Sequence, residues 1–87
     1  MPEVYQVGIK VVSQKGTCHA GHKVGDEWVI GSKTPEGICL GAFHTLYPTL
    51  FSLIIGAPMW GPDPDVSTIA CPDANNPVVF EMRRLPK

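Results

Sequence analysis

The sequence lacks an excess of positive charge and has few charged residues of either sign. Seven Lys and Arg residues stand against eight Asp and Glu, and the formal net charge is -1. Proteins that bind the phosphate backbone normally carry an excess of basic residues. The adjacent pair Arg83-Arg84 is too short to form a basic patch. We therefore expect no nucleic-acid partner.

Long uninterrupted apolar stretches are also missing. The longest, Leu46–Trp60, is broken by Pro48, Gly56 and Pro58 and is shorter than the roughly 20 residues that span a bilayer. Residues 1–4 supply neither the basic nor the apolar region of a signal peptide. The sequence thus predicts no signal peptide, no membrane partner and a cytoplasmic location.

Cysteine is scarce and odd in number. Three cysteines cannot all pair within one chain, and a reducing compartment would keep them as thiols. Thiol or metal chemistry is therefore favoured over a disulfide framework.

The length and composition indicate one small domain. A chain of 87 residues and 9.4 kDa fits a single domain, residues 1–87. Hydrophobic residues make up 44%, enough for a core, whereas the 17% that are charged leave few groups to cover a large surface. We therefore expect a homo-oligomer, a dimer or larger.

Hydrophobic periodicity predicts four strands and a central helical segment. Strands are predicted at Tyr5–Val11, Glu27–Ile30, Val66–Ala70 and Val78–Leu85, the last two as a hairpin. A helical stripe contains Phe43, Leu46, Tyr47, Leu50 and Ile54. Within it, Pro48 predicts either a kink or two short helices. The order β-β-α-β-β indicates an α+β fold, a mostly antiparallel four-stranded sheet with helix on one face.

The cysteines and one histidine form a candidate metal set. Cys18, His22, Cys39 and Cys71 lie in loops or at the ends of predicted elements. Zinc accepts such a Cys3His set in tetrahedral geometry, and soft thiolates also suit iron or Cu(I). No CxxC pair is present, so the spacing is a weak signal. The alternative is that Cys39 and Cys71 are small buried apolar residues.

Cys39 is also a candidate for metal-free catalysis or redox chemistry. It stands at the predicted start of the helix, where the helix dipole favours a thiolate. His44, or His19 or His22 from the facing loop, would supply a base. Asp73 would orient a histidine or act as a general base, although an Asp after Pro commonly caps a turn instead.

A third hypothesis is a structural or binding module without thiol chemistry. In that case an apolar sheet face and the loop around Trp60 would bind a partner or a small ligand that the sequence does not identify.

Several motifs, taken together, resemble a family of short, uncharacterised prokaryotic proteins. The matching segments cover nearly the whole chain and include Gly21–Glu27 (GHKVGDE), Pro35–Cys39 (PEGIC), Asp63–Asp65 (DPD), Ala70–Asp73 (ACPD) and Asn76–Glu81 (NPVVFE). The resemblance implies a stand-alone domain of this length. It also implies that the thiols at Cys39 and Cys71 and the glycine-rich loop with His22 recur in the family. It implies no reaction.

Overall fold

A computed structural model describes residues 4–86 and contains four strands and one helix. The strands are β1 (Val7–Gln14), β2 (Glu27–Ile30), β3 (Val66–Ala70) and β4 (Val78–Arg84), and the helix α1 is Leu40–Ile54. All strand pairs are antiparallel, and the order across the sheet is β2-β1-β4-β3. The predicted α+β architecture is therefore confirmed.

The first strand lies further along the chain than its alternation predicted. It begins at Val7 rather than Tyr5 and continues to Gln14, which pairs with Val78 of β4. The register shifts between Val11 and Ser13, so one extra residue is accommodated there as an irregularity of the bulge type. The alternation of β1 ends at this shift, which explains why the sequence pattern placed the strand end at Val11.

Helix α1 runs without interruption through Pro48, so the alternative of two short helices is wrong. Proline removes one backbone donor from the helix interior. Leu46 and Leu50 flank it and are both fully buried against the sheet. Their burial holds the two halves of the helix on one surface, and we infer that this outweighs the missing hydrogen bond.

The buried stripe of the helix is rotated from the predicted one. Its buried members are Ala42, Leu46, Leu50 and Leu53, which share the core with alternate residues of the sheet: Val7, Ile9, Val11, Ile30, Val78, Phe80 and Met82. Tyr47, predicted on the core stripe, is 49% exposed, and Phe43 is only partly buried. The two aromatic rings instead pack on each other at the side of the helix, with centroids 5.9 Å apart.

Exposed apolar residues lie on the helix and the loop after it, and also on the strands, where Val29 is 63% exposed. Leu40 is 82% exposed and Trp60 is 99% exposed. The opposite face of the sheet carries charged side chains, joined across strands by the Lys10–Glu27 pair at 3.9 Å. These surface features do not test self-association, which stays a prediction.

Among residues 4–86, no helix combines the length and apolar character required to cross a bilayer.

Candidate functional site

A cavity of about 220 Å³ lies where three loops meet the N-terminal end of helix α1. All three cysteines line it, although they are separated by 21 and 32 residues in the sequence. The remaining wall consists of small, apolar and polar residues: His19, Ala20, Gly41, Ala42, Pro72, Asp73 and Asn76. The fold therefore brings together side chains that the sequence keeps far apart.

Cys71 is fixed by the hairpin of β3 and β4. Its backbone N–H donates to the carbonyl oxygen of Val78 at 2.9 Å, and its Sγ accepts a hydrogen bond from the Val78 N–H at 3.3 Å. Both bonds attach Cys71 to the first residue of β4, so the ladder of the sheet determines where this sulfur lies.

Cys39 is exposed and immediately precedes helix α1. Its carbonyl accepts the N–H of Phe43 at 2.9 Å and so begins the helix. Its side chain makes no capping hydrogen bond, and the first turn contains no acidic residue. The thiol is thus available to a ligand at a helix end that favours negative charge.

Gly41, in the first turn, leaves the cavity open next to Cys39. A Cβ at this position would lie 3.8 Å from Cγ of Pro72 and 4.0 Å from Sγ of Cys39, which are ordinary contact distances. Packing would therefore tolerate alanine, while glycine in a helix costs about 1 kcal/mol relative to alanine. A larger side chain there would point among the groups that line the cavity.

Cys18 is half-buried in the loop between β1 and β2 and packs against the core. Its carbonyl accepts the N–H of Gly21 at 3.0 Å, which closes a turn over His19 and Ala20. This turn places His19 and Ala20 on the cavity wall beside the thiol.

His22 is buried, with 7% of its surface exposed, and does not line the cavity. Its Nε2 accepts a hydrogen bond from the backbone N–H of Cys39 at 3.0 Å. The ring packs edge-on against Trp28 and Phe80, with centroids 5.4 and 5.8 Å away. His22 therefore supports the backbone of Cys39 from within the core. The lone pair of its Nε2 is already used in this hydrogen bond.

The two other predicted catalytic residues differ in their placement. His44 is exposed on α1 and does not line the cavity. Asp73 lines it, but its carboxylate accepts hydrogen bonds from the backbone of Asn75 and from the backbone and side chain of Asn76. The side-chain amide of Asn76 is the main cause that lowers the pKa of Asp73 below 3.8, and the N–H of Asn75 adds to it. These bonds are those of a turn-capping aspartate.

Within residues 4–86, no group of three or more His, Cys, Asp and Glu side chains is arranged to hold a metal ion. The cysteines surround the cavity without converging on a single point. Any ion would therefore require one or more of the cysteine side chains to rotate toward the others.

Three residues that line the cavity were not among the site residues predicted from the sequence. His19 was weighed only as a base, and its position directly after Cys18 gave no signal that both would border one cavity, because consecutive side chains usually point in different directions. Gly41 and Asn76 gave no signal, because their importance depends on the loop that packs opposite each of them.

No family model, curated protein or solved structure matches this chain. The resemblance to short prokaryotic proteins therefore stays a prediction.

Proposed function

We propose that this protein binds a single soft metal ion through the thiols of Cys18, Cys39 and Cys71. The observation that carries the proposal is that all three thiols line one small cavity. Thiolates prefer soft or borderline ions such as Zn²⁺ and Cu(I). Iron, the other metal expected from the sequence, is an alternative occupant.

The fourth ligand in this proposal is His19. It lines the cavity next to Cys18, whereas Nε2 of His22 already accepts a hydrogen bond from Cys39. Three cysteines and one histidine form a set that zinc accepts in tetrahedral geometry. His19 is exposed, so its ring can turn toward the cavity without losing packing in the core.

Ion binding requires cysteine side chains to move from one staggered rotamer to another. Such a rotation carries Sγ around the Cα–Cβ bond while the backbone stays in place. Cys39 is exposed and borders the cavity beside Gly41. Cys39 is therefore the thiol for which this rotation costs the least.

The test is the metal content of protein purified without chelator, together with titration by Cd²⁺ or Zn²⁺. We expect one bound ion per chain, and we expect Cys39→Ser with Cys71→Ser to remove most of the bound metal, because two of the four proposed ligands are lost. His19→Ala should weaken binding, whereas His44→Ala, a histidine outside the cavity, should leave it unchanged. Equal metal content in the parent protein and the double cysteine variant would refute the proposal.

A second candidate function is metal-free thiol chemistry at Cys39. The exposure of this thiol at the start of a helix favours that function. In that case the protein would bind no metal, and alkylation with iodoacetamide would modify Cys39 much faster than Cys18 or Cys71. Comparable rates at the three cysteines in a metal-free protein would exclude this alternative.

A further inference from the structure

Asn76 joins the loop that carries Cys71 to the loop that carries Cys18. Its Oδ1 accepts the backbone N–H of Thr17 at 2.9 Å, and its Nδ2 donates to Oδ2 of Asp73 at 3.2 Å. Thr17 directly precedes Cys18, and Asp73 lies two residues after Cys71. One side-chain amide thus bridges segments that are 59 residues apart.

Gly16 allows this bridge to form. Its φ is +67°, in the left-handed region that favours glycine, and a Cβ there would lie only 2.2 Å from Oδ1 of Asn76. No other residue type fits this position while the Asn76 amide stays in place. The loop before Cys18 is therefore shaped around the Asn76 side chain.

The carboxylate of Asp73 orients the amide. It accepts the side-chain Nδ2–H of Asn76 and the backbone N–H groups of Asn75 and Asn76. Because Nδ2 is directed at the carboxylate, Oδ1 is left to face Thr17. The acidic group that the sequence suggested as a general base thus acts on the site through Asn76.

From these contacts we infer that Asn76 is a positioning residue that sets the separation of Cys18 and Cys71, with Asp73 as its support. The inference rests on the proposed function, because a fixed separation matters when both thiols bind the same ion. Partners that orient metal ligands typically contribute ten- to hundred-fold to metal affinity.

The first test measures Cd²⁺ affinity in three variants. Asn76→Ala should weaken binding about tenfold or more. Asp73→Asn combined with Asn76→Asp exchanges donor and acceptor across the bridge, and we expect it to restore binding. Asp63→Ala is the control, because Asp63 makes a similar side-chain bond to the N–H of Asp65 in a loop whose residues do not line the cavity. Unchanged affinity in Asn76→Ala would overturn the inference.

The second test needs no metal and separates failure of this inference from failure of the proposed function. In a Cys39→Ser background, dibromobimane becomes fluorescent when it bridges Cys18 and Cys71. We expect Asn76→Ala to slow this bridging several-fold and the exchanged pair to recover it. Equal bridging rates in all variants would overturn the inference, even if the parent protein binds metal. Loss of bridging in Asn76→Ala would support it, even if no metal binds.

Discussion

The two ends of helix α1 are held in different ways. At the C-terminal end, the guanidinium of Arg84 donates to the carbonyls of Leu53 and Ala57 and to Asp65. The N–H of Tyr5 donates to the carbonyl of Ile54 at 2.9 Å. At the N-terminal end, the N–H of Cys39 donates to the side chain of His22, and Gly41 and Ala42 of the first turn border the cavity.

The C-terminal end of the helix is fully hydrogen-bonded, whereas the N-terminal end borders the cavity of the proposed site. Each of the last four carbonyls, from Phe51 to Ile54, accepts at least one hydrogen bond, and Gly56 follows with a φ of +88°. The terminal carbonyl groups at this end are already hydrogen-bonded within the protein and are not available to bind a ligand. The opposite end combines a glycine, an uncapped first turn and three thiols. We therefore expect mutations at the C-terminal end to cost more stability than mutations at the N-terminal end, and we expect only mutations at the N-terminal end to affect the proposed metal binding.

The largest effect is expected from Arg84→Met. Its side chain is only 9% exposed, and its loss would leave the carbonyls of Leu53 and Ala57 without this donor. We expect a loss of about 3 kcal/mol in the free energy of unfolding, measured by urea denaturation, with unchanged metal binding by the folded protein.

Arg83→Met is the matched control for Arg84→Met. Arg83 is half exposed, and its contacts with Asp63 and Glu81 are 3.4 and 3.7 Å long, so its replacement should cost less than about 1 kcal/mol. If the two variants lost equal stability, the special role given to Arg84 would be wrong.

A smaller effect is expected from His22→Phe. Phenylalanine keeps the ring contacts with Trp28 and Phe80 but removes the acceptor for the N–H of Cys39. We expect a loss of about 1.5 kcal/mol in the free energy of unfolding and faster amide hydrogen exchange at Cys39. Exchange at Ile55, at the other end of the helix, should stay slow. Equal acceleration at both ends would show that the ends are not independent.

The smallest effect concerns pH and the loop that carries His22. Hydrogen bonds from the side chain and backbone of Lys23 lower the pKa of Asp26 below 3.8. Because the folded-state pKa is the lower one, Asp26 contributes stability above pH 3.8 that is lost as the pH falls through the folded-state value.

Asp26→Asn tests this assignment. The variant should be less stable than the parent above pH 3.8, and the difference should shrink as the pH falls below that value. Urea denaturation at a series of pH values measures it. A difference that stays constant across the series would contradict the assignment.

The parts of the fold that depend on residues close together in the sequence could be predicted from it. The strands at Glu27–Ile30 and Val66–Ala70 were predicted with the bounds that the structure has, because alternation and turn residues are nearby signals. The rotation of the helix could not be predicted. Leu53 and Ala42 replace Ile54 and Phe43 on the buried stripe because the surface of the sheet decides which face packs.

The sequence singled out the three thiols that border the cavity, but it did not indicate that His19 borders the cavity and His22 does not. Cys18, Cys39 and Cys71 all stand in loops or at element ends, which are the places where a scaffold gathers ligands. The choice of His19 over His22 rests on which of them lines the cavity and on the hydrogen bond from Cys39 to His22. A contact between residues 17 positions apart in two irregular loops leaves no periodic trace in a sequence.

The pairing of β1 with β4 has a consequence for how the protein is made. The two middle strands of the sheet are Val7–Gln14 and Val78–Arg84, so the four-stranded sheet cannot be completed until the second of them has been synthesised. Cys71 depends on the same strand through both of its bonds to Val78. During synthesis, therefore, Cys18 and Cys39 emerge well before Cys71, and the three-thiol site that we propose would be complete only after β4 has paired.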